Sequence, residues 1–333
     1  RRLAGGLAEA DGVHLLQRQL ESKQLDTAQA HAGGAIRGNR DLVLMHIPFN
    51  FGHTIESVAM FGRPHEGYKG RDAAWDYIED LGVGSVDRRA SWEEVHALMR
   101  EKGEVWGHLN PDLQENNGVT GCPMYYTPQK YWPRELAERY FGNKTIFGML
   151  RDPYERLVSI FRGNVPEYGG SHPGLISKCD VNEAVKRMMR EYIYFNKTYA
   201  NGCTLVPQAE YFEGPYGIQL PVDNRQFPSS MSHEFVRHGY PDFQIKTEEV
   251  IHVELCPDVW AADLDNEARS LVKQVYKRDF ELLCRHFGYC DDEESTCIWQ
   301  VPRMCPKYIL KQGYKGRPMA LQPKPHWYKF WAR

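Results

Sequence analysis

Short apolar runs alternate with longer amphipathic stretches through the middle of the chain. The runs at residues 42–47 and 145–150 have the length and composition of strands buried on both faces of a parallel sheet. Apolar residues at helical spacing follow at residues 154–162, 181–195 and 266–287. Strands separated by helices predict an α/β fold, with three layers and a mainly parallel central sheet.

Weaker patterns extend this prediction. Leucines at helical spacing predict a helix within residues 8–30, and capping-box spacing at the start of residues 91–102 predicts another. The segment His252-Val253-Glu254-Leu255 predicts a late strand. Residues 107–133 are rich in Gly, Asn, Pro and Tyr, so we expect a long loop there.

The character of the chain changes near its C-terminus. Residues 298–333 contain five prolines, many aromatic and basic residues and no acidic residue, and they show no helical or strand period. We therefore divide the chain into an N-terminal helical extension (1–40), a main domain (41–290) and a C-terminal arm (291–333). The arm either lies over the domain surface or docks onto a partner protein, for which it has four aromatic anchors, Trp327, Tyr328, Phe330 and Trp331.

Composition limits the possible classes of protein. The 333 residues, of which 42% are hydrophobic and 26% charged, can bury one large core. A net charge of −3 gives no general attraction to nucleic acid, so we expect no nucleic-acid partner, and any anion site must be local. No apolar run is long enough for a transmembrane helix. The chain begins at Arg1 without a methionine, as expected of a trimmed or processed product.

The cysteines bear on the compartment. None of the eight has the paired spacing of a zinc site, so we expect no metal. They are either ordinary thiols or disulfides formed in an oxidising compartment, in which the last four could staple the C-terminal region. Two sequons, at Asn143 and Asn196, would be glycosylated in a secreted protein.

Two segments have the residue types of an anion site. A strand, a turn at residues 48–54 and a helix form the architecture of a phosphate loop, in which Gly52 allows close approach and Thr54 offers a hydroxyl. Arg151 follows the second strand, at the sheet edge where open α/β sheets bind ligands, and Ser159 lies on the next helix. Arg151 either grips a phosphate or belongs to a surface network with Asp152.

Four segments, taken in order, resemble the carbohydrate-type sulfotransferases of algae and animals. They are HIPFNFGHTIE at 46–56, RDPYERLVS at 151–159, CTLVPQAEYF at 203–212, and YKRDFELL with FGY at 276–289. In that family the first segment is the 5′-phosphosulfate loop, and the second holds the 3′-phosphate of the cofactor.

The resemblance implies a P-loop-like fold that transfers a sulfonate group from 3′-phosphoadenosine 5′-phosphosulfate to a hydroxyl, usually on a sugar, without a metal. It also implies the Golgi lumen or the secretory pathway. The cofactor-binding residues that it implies are Asn50, Gly52, His53, Thr54, Arg151 and Ser159.

The loop departs from the family pattern at three positions. Phe49 replaces a lysine that would neutralise charge on the bridging oxygen, a loss comparable to an oxyanion donor at about 3–4 kcal/mol. Phe51 stands where glycine or alanine is usual, and His53 replaces a small residue. A protonated His53 would restore part of the charge, although a neutral imidazole is expected at pH 7.

Two alignments compete for the catalytic base. Gly107-His108 is similar to the Gly-His element that supplies the base in some uronyl 2-O-sulfotransferases of this family. In the other alignment, residues 125–128 match an algal Trp-His-Thr-Pro element, and Tyr126 stands where that element has its histidine. His108 is therefore either the base or a loop histidine without a catalytic role.

Two hypotheses for function follow. The chain is either an active sulfotransferase with an atypical loop, acting on a carbohydrate or another hydroxyl acceptor, or a pseudoenzyme. A pseudoenzyme would have a structural role in a larger complex, which could belong to another organelle, and would bind protein partners through residues 298–333.

Overall fold

The computed structural model describes residues 40–62, 103–163, 173–250, 255–292, 296–301 and 304–306, and the single positions 94, 97 and 101. These three positions are helical and fall in the helix predicted over residues 91–102. The helix predicted within residues 8–30, residues 252–254 of the predicted late strand, and the four aromatic anchors of the arm lie outside the described residues.

Three parallel strands form the sheet, in the order β1 (Leu42–Leu44), β2 (Thr145–Leu150) and β3 (Leu220–Asp223). Leu44 of β1 is paired with Phe147 of β2, which is paired with Leu220 of β3 on its other side. The predicted strand at 145–150 is confirmed. Strand β1 is shorter than the apolar run that predicted it: it ends at Leu44, although the Met45 amide still donates to the Phe147 carbonyl of β2 at 2.8 Å.

Seven helices lie within the described residues. They are α1 (Gly52–Phe61), α2 (Arg134–Phe141), α3 (Pro153–Arg162), α4 (Pro173–Ile176), α5 (Val181–Phe195), α6 (Ser229–Arg237) and α7 (Asn266–Phe287). The helices predicted at 181–195 and 266–287 are confirmed as α5 and α7. Helix α3 begins one residue earlier than predicted. The α/β class is therefore confirmed.

Helix α3 begins at a well-defined cap. The side chain of Asp152 accepts hydrogen bonds from the backbone amides of Tyr154 (2.9 Å) and Glu155 (3.2 Å), and Pro153 occupies the first helical position. Since β2 ends at Leu150, only two residues separate strand and helix. This short junction places Arg151 at the carboxyl edge of the sheet.

Two hydrophobic clusters enclose that junction. The larger one contains the strands, part of α1 and α6, with Trp106, Phe147 and Phe235 fully buried at its centre. The second lies among α3, α5 and α7, where Phe161 and Met189 are also fully buried. Because each buried side chain of this size contributes about 1.5–3 kcal/mol, the residues at the sheet edge are held on a rigid scaffold.

All eight cysteines form disulfides: Cys122–Cys203, Cys179–Cys256, Cys284–Cys290 and Cys297–Cys305. The first bridge joins residues 81 positions apart and ties the segment predicted as a loop, residues 107–133, to the third motif. That segment folds into short 3-10 turns. Four disulfides are compatible with a secreted or lumenal protein. Among the described residues, none of the helices combines the length and apolarity needed to span a bilayer.

Candidate functional site

The chain turns sharply between β1 and α1. Phe49 and Phe51 have positive φ angles of 64° and 62°, and such left-handed conformations cost non-glycine residues about 1–3 kcal/mol each. Gly52 begins α1, and a Cβ atom at this position would lie 2.3 Å from His46 Nε2, so a larger residue would not fit. The turn therefore brings the first residues of α1 to the carboxyl edge of the sheet.

The four loop residues predicted to bind the cofactor have different environments. Thr54 and Gly52 are buried, the latter against a histidine ring. Asn50 is 1% exposed and is directed into the protein, where it joins the polar network described below. The His53 side chain is 33% exposed. Of these four, His53 is thus the one that an incoming ligand reaches most directly.

Arg151 is buried at the end of β2. Its Nη1 donates a hydrogen bond to the Phe49 carbonyl (2.8 Å), and its guanidinium carbon lies 5.3 Å from the centre of the Phe51 ring. Its Nε lies 3.7 Å from a carboxylate oxygen of Glu155 and has no hydrogen-bond acceptor within the described part of the chain. Burial lowers the pKa of Arg151 to about 10, against the opposing effect of Glu155. The side chain is a cation at neutral pH whose charge the protein only partly compensates.

Arg151 and Ser159, which the sequence places in one motif, line the same cavity. Its volume is about 30 Å³, which is room for one or two water molecules. Its other lining residues include Arg162, Trp260, the acid Glu155 and Thr296 of the C-terminal segment. A second cation and an aromatic ring thus accompany the predicted pair.

One glutamine joins the motifs beneath the sheet edge. Gln208 Oε1 accepts hydrogen bonds from Asn50 Nδ2 (2.6 Å) and from the Arg151 amide (3.0 Å). Its Nε2 donates to the Arg151 carbonyl (2.7 Å), and its own amide donates to Asp279 of α7 (2.9 Å). These residues come from the four segments that carry the family resemblance. The segments therefore meet in a single buried polar network.

The other arginine of the second motif is fully occupied within the protein. Arg156 is 1% exposed and donates from Nε to the Pro48 carbonyl at 3.1 Å. It also donates from Nη1 and Nη2 to the carbonyls of Val206 (3.0 Å) and Thr204 (2.8 Å). Arg156 is a structural residue that fastens the first loop to the third motif.

A histidine cluster, consisting of His46, His53, Glu56 and His108, lies at the start of α1. Glu56 is fully buried, and its two oxygens contact His46 Nδ1 and His108 Nδ1 respectively. His53 Nδ1 lies 2.9 Å from His108 Nδ1 and 3.5 Å from Glu56 Oε2. A Cβ atom at Gly107 would overlap the Glu56 carboxylate, so glycine is needed there for His108 to approach.

Burial and mutual contact set the charges in this cluster. Burial alone would raise the pKa of Glu56, but His46 and His108 outweigh it and hold that pKa well below its usual value. Burial lowers the pKa of His108 to about 4, and His53 adds to this effect while Glu56 opposes it. Burial also lowers the pKa of His46. The favoured state is an ionised Glu56 between two neutral imidazoles that donate from Nδ1, which leaves a lone pair on His108 Nε2.

The residues that the two alignments place at the base position both lie at this cluster. His108 is a member of it, and the Tyr126 hydroxyl lies 2.9 Å from His53 Nε2. Tyr126 therefore contacts His53, which in turn contacts His108, and the two alignments identify adjacent parts of one site.

Sequence reasoning did not assign roles to two members of the cluster or to two cavity residues. His46 and Glu56 stand at either end of the first motif, where the end of β1 and the first turns of α1 face each other across the loop. The strand–loop–helix order of this motif could therefore have indicated that His46 and Glu56 lie close together. No comparable signal identifies the two cavity residues. Arg162 lies beyond the second motif, at the end of α3, and Trp260 comes from a distant segment with no motif.

Comparisons with protein-family models, curated proteins and solved structures find no match to this chain.

Proposed function

We propose that this chain is a three-layer, P-loop-like sulfotransferase of the Golgi lumen or the secretory pathway, which uses 3′-phosphoadenosine 5′-phosphosulfate to sulfate a hydroxyl of a carbohydrate. One observation carries the proposal. The loop at residues 48–54, Arg151 and His108 come from distant segments, and all lie at the carboxyl edge of one parallel sheet. Ligands of open α/β sheets bind at this edge.

Each group has a chemical task under this proposal. Arg151 and Ser159 would hold the 3′-phosphate, since a guanidinium and a hydroxyl both donate to phosphate oxygens. The first turn of α1 would face the phosphosulfate with the positive end of the helix dipole. His108 Nε2 would accept the proton of the acceptor hydroxyl, while Glu56 fixes the tautomer through Nδ1.

The missing lysine of the loop has a partial substitute. Sulfonate transfer resembles phosphoryl transfer, in which the protein mainly positions groups and stabilises charge. Phe49 supplies no charge, but the Arg151 guanidinium reaches its backbone carbonyl at 2.8 Å. A cation therefore lies against the loop even without the lysine, which supports nucleotide binding by an atypical loop.

The same contacts favour a second candidate, a catalytically inactive subunit of a larger complex. The Phe49 carbonyl already accepts a hydrogen bond from Arg151, and the Phe51 ring packs below its guanidinium. The adjoining cavity of about 30 Å³ is far smaller than a nucleotide. In this candidate the C-terminal arm, residues 298–333, binds a protein partner.

Calorimetric titration with 3′-phosphoadenosine 5′-phosphate tests the first candidate. We expect micromolar binding to the native chain, weakened by about 10–150-fold in Arg151→Ala. Arg187→Ala is the matched control, because Arg187 is exposed and paired with Glu183 on α5. Absence of binding at millimolar ligand would exclude the enzyme.

Truncation tests the second candidate. Ile298 and Val301 are buried in the main core, so removing the whole arm would damage the domain. Removing residues 307–333 leaves every described residue in place. Under the second candidate, the truncated chain leaves its native complex and migrates as a smaller species on a sizing column. Unchanged migration would contradict an assembly role for that segment.

A further inference from the structure

The close contacts among His53, His108 and Glu56 cannot all be good hydrogen bonds at the same time. A proton on His108 Nδ1 faces two acceptors, Glu56 Oε2 and His53 Nδ1. If His53 instead carries its proton on Nδ1, that proton meets the N–H of His108, which cannot accept it. In either tautomer one close contact lacks a good hydrogen bond. A single cation at the centre would satisfy all three atoms at once.

The positions of these atoms suit a metal ion. Zinc binds histidine nitrogen and carboxylate oxygen at about 2.0–2.2 Å in tetrahedral geometry, which separates ligand atoms by roughly 3.3 Å. His53 Nδ1 lies 2.9 Å from His108 Nδ1 and 3.5 Å from Glu56 Oε2. Ligand atoms from all four cluster residues lie within 4.8 Å of one another. His108 Nδ1 and Glu56 Oε2 are in direct contact, so these two atoms must separate to admit an ion, which small side-chain rotations would allow.

We propose that His53, His108 and Glu56 bind a divalent transition-metal ion, with zinc as the best match to two imidazoles and one carboxylate. Two histidines and one glutamate are the ligand set of open, catalytic zinc sites, which keep a fourth position for water or substrate. The partial exposure of His53, 33%, gives that position access to solvent.

Neighbouring residues orient the ligands. His46 contacts the second oxygen of Glu56 through Nδ1, and the backbone amide of His108 donates to the same oxygen at 3.1 Å. The Tyr126 hydroxyl holds His53 Nε2 at 2.9 Å. Partners of this kind fix the ring orientation and tautomer of metal ligands. They distinguish this cluster from a chance group of exposed histidines and acids.

The inference goes beyond the proposed function and does not depend on it. With the ion bound, His108 is a ligand, and a hydroxyl in the fourth position is activated by the metal instead of by an imidazole. Metal binding is measured without nucleotide, and nucleotide binding is measured on the chelator-treated chain. A negative result in one measurement therefore does not affect the conclusion from the other.

Calorimetric titration of the untagged, chelator-treated full chain with zinc chloride tests the site. We expect one ion per chain, and cobalt in its place should give the intense visible bands of a four-coordinate ion. His53→Ala and His108→Ala should each weaken zinc binding by at least about 100-fold, and His46→Ala by about 10–100-fold. His286→Ala is the matched control, since that ring stacks on Phe212 of the domain, away from the cluster.

Circular dichroism checks that each variant folds. His53→Ala is the variant most suited to this test. Its side chain is partly exposed, so removing it should disturb the fold less than removing the buried Glu56. A folded native chain that takes up no zinc would overturn the proposal. Unchanged zinc affinity in both His53→Ala and His108→Ala would also overturn it.

Discussion

The carboxyl edge of the sheet has an interior, with Arg156 and Gln208, and a rim, with Arg151 and the histidine cluster. Similar side chains have opposite roles in these two regions. In the interior, Arg156 donates to three backbone carbonyls, and Gln208 joins Asn50 to Arg151 and Asp279. At the rim, Arg151 makes one hydrogen bond to a carbonyl through its side chain and leaves Nε without an acceptor in the described structure. The histidine cluster beside it has competing acceptors for one proton.

The difference separates structure from function within one motif. A buried polar group that the protein satisfies completely contributes to folding, and its removal leaves its partners unpaired. A buried polar group that the protein satisfies only in part is retained at a cost, which a ligand can offset. Arg156 belongs to the first kind, and Arg151 belongs to the second kind.

The largest expected effect is on stability, in the interior. Arg156→Ala should lower the free energy of unfolding by about 3–5 kcal/mol, because it leaves three buried carbonyls and Asp279 without their cation. Urea unfolding with the disulfides intact measures this change. Arg187→Ala, which removes an exposed pair with Glu183, should cost about 0–1 kcal/mol. A loss below 1 kcal/mol for Arg156→Ala would contradict its structural role.

The next effect is on catalysis, at the rim. Phe49→Lys restores the cation of the family loop and should raise the rate of sulfonate transfer by about 10²–10³-fold, the magnitude of an oxyanion donor. Phe49→Met is the control, since it removes the ring that packs beside Gly163 without adding charge. Transfer of labelled sulfonate to a sugar acceptor measures the rate. If both variants transfer sulfonate faster, the effect comes from removal of the ring and not from the added charge. If folded Phe49→Lys transfers sulfonate no faster than the native chain, the inactive subunit is favoured.

Local signals made much of the fold predictable. Helix α3 follows from Asp152 and Pro153, a cap and a first-turn proline, and α5 and α7 follow from their apolar periods. Strand β3 could not be predicted, because Leu220–Asp223 contains a proline and an aspartate. Its position explains the composition: β3 lies at an edge of the described sheet, where a residue without an N–H group is tolerated.

The site was predictable only where its residues share a segment. Arg151 and Ser159 lie eight residues apart, so their proximity follows from one strand and one helix. The contact of Glu56 with His108 joins residues 52 positions apart, and Gln208 meets Asn50 across 158 positions. Such contacts depend on tertiary packing. The expectation that no metal is needed came from cysteine spacing and from the resemblance, neither of which bears on a cluster of histidines.

A smaller effect is expected for nucleotide binding at Arg151. Loss of a charged hydrogen-bond donor costs about 1.5–3 kcal/mol, so Arg151→Ala should weaken 3′-phosphoadenosine 5′-phosphate binding by about 10–150-fold. Its effect on unfolding should be smaller than that of Arg156→Ala, since its side chain donates to one carbonyl and its ion pair with buried Glu155 is long, at 3.7 Å. Calorimetry and urea unfolding on the same preparation compare the two arginines. Equal destabilisation by both variants would remove the distinction between interior and rim.

The smallest effect is expected for the hydroxyl at the cavity. Ser159→Ala removes a neutral donor worth about 0.5–1.5 kcal/mol, so nucleotide affinity should fall by about 2–10-fold with stability nearly unchanged. Ser177→Ala is the control, because this exposed hydroxyl donates to the Gly174 carbonyl away from the cavity. Calorimetry with 3′-phosphoadenosine 5′-phosphate measures both. If Arg151→Ala loses affinity and Ser159→Ala does not, the rim binds the anion by charge alone, and the 3′-phosphate does not lie in the cavity that the two residues share.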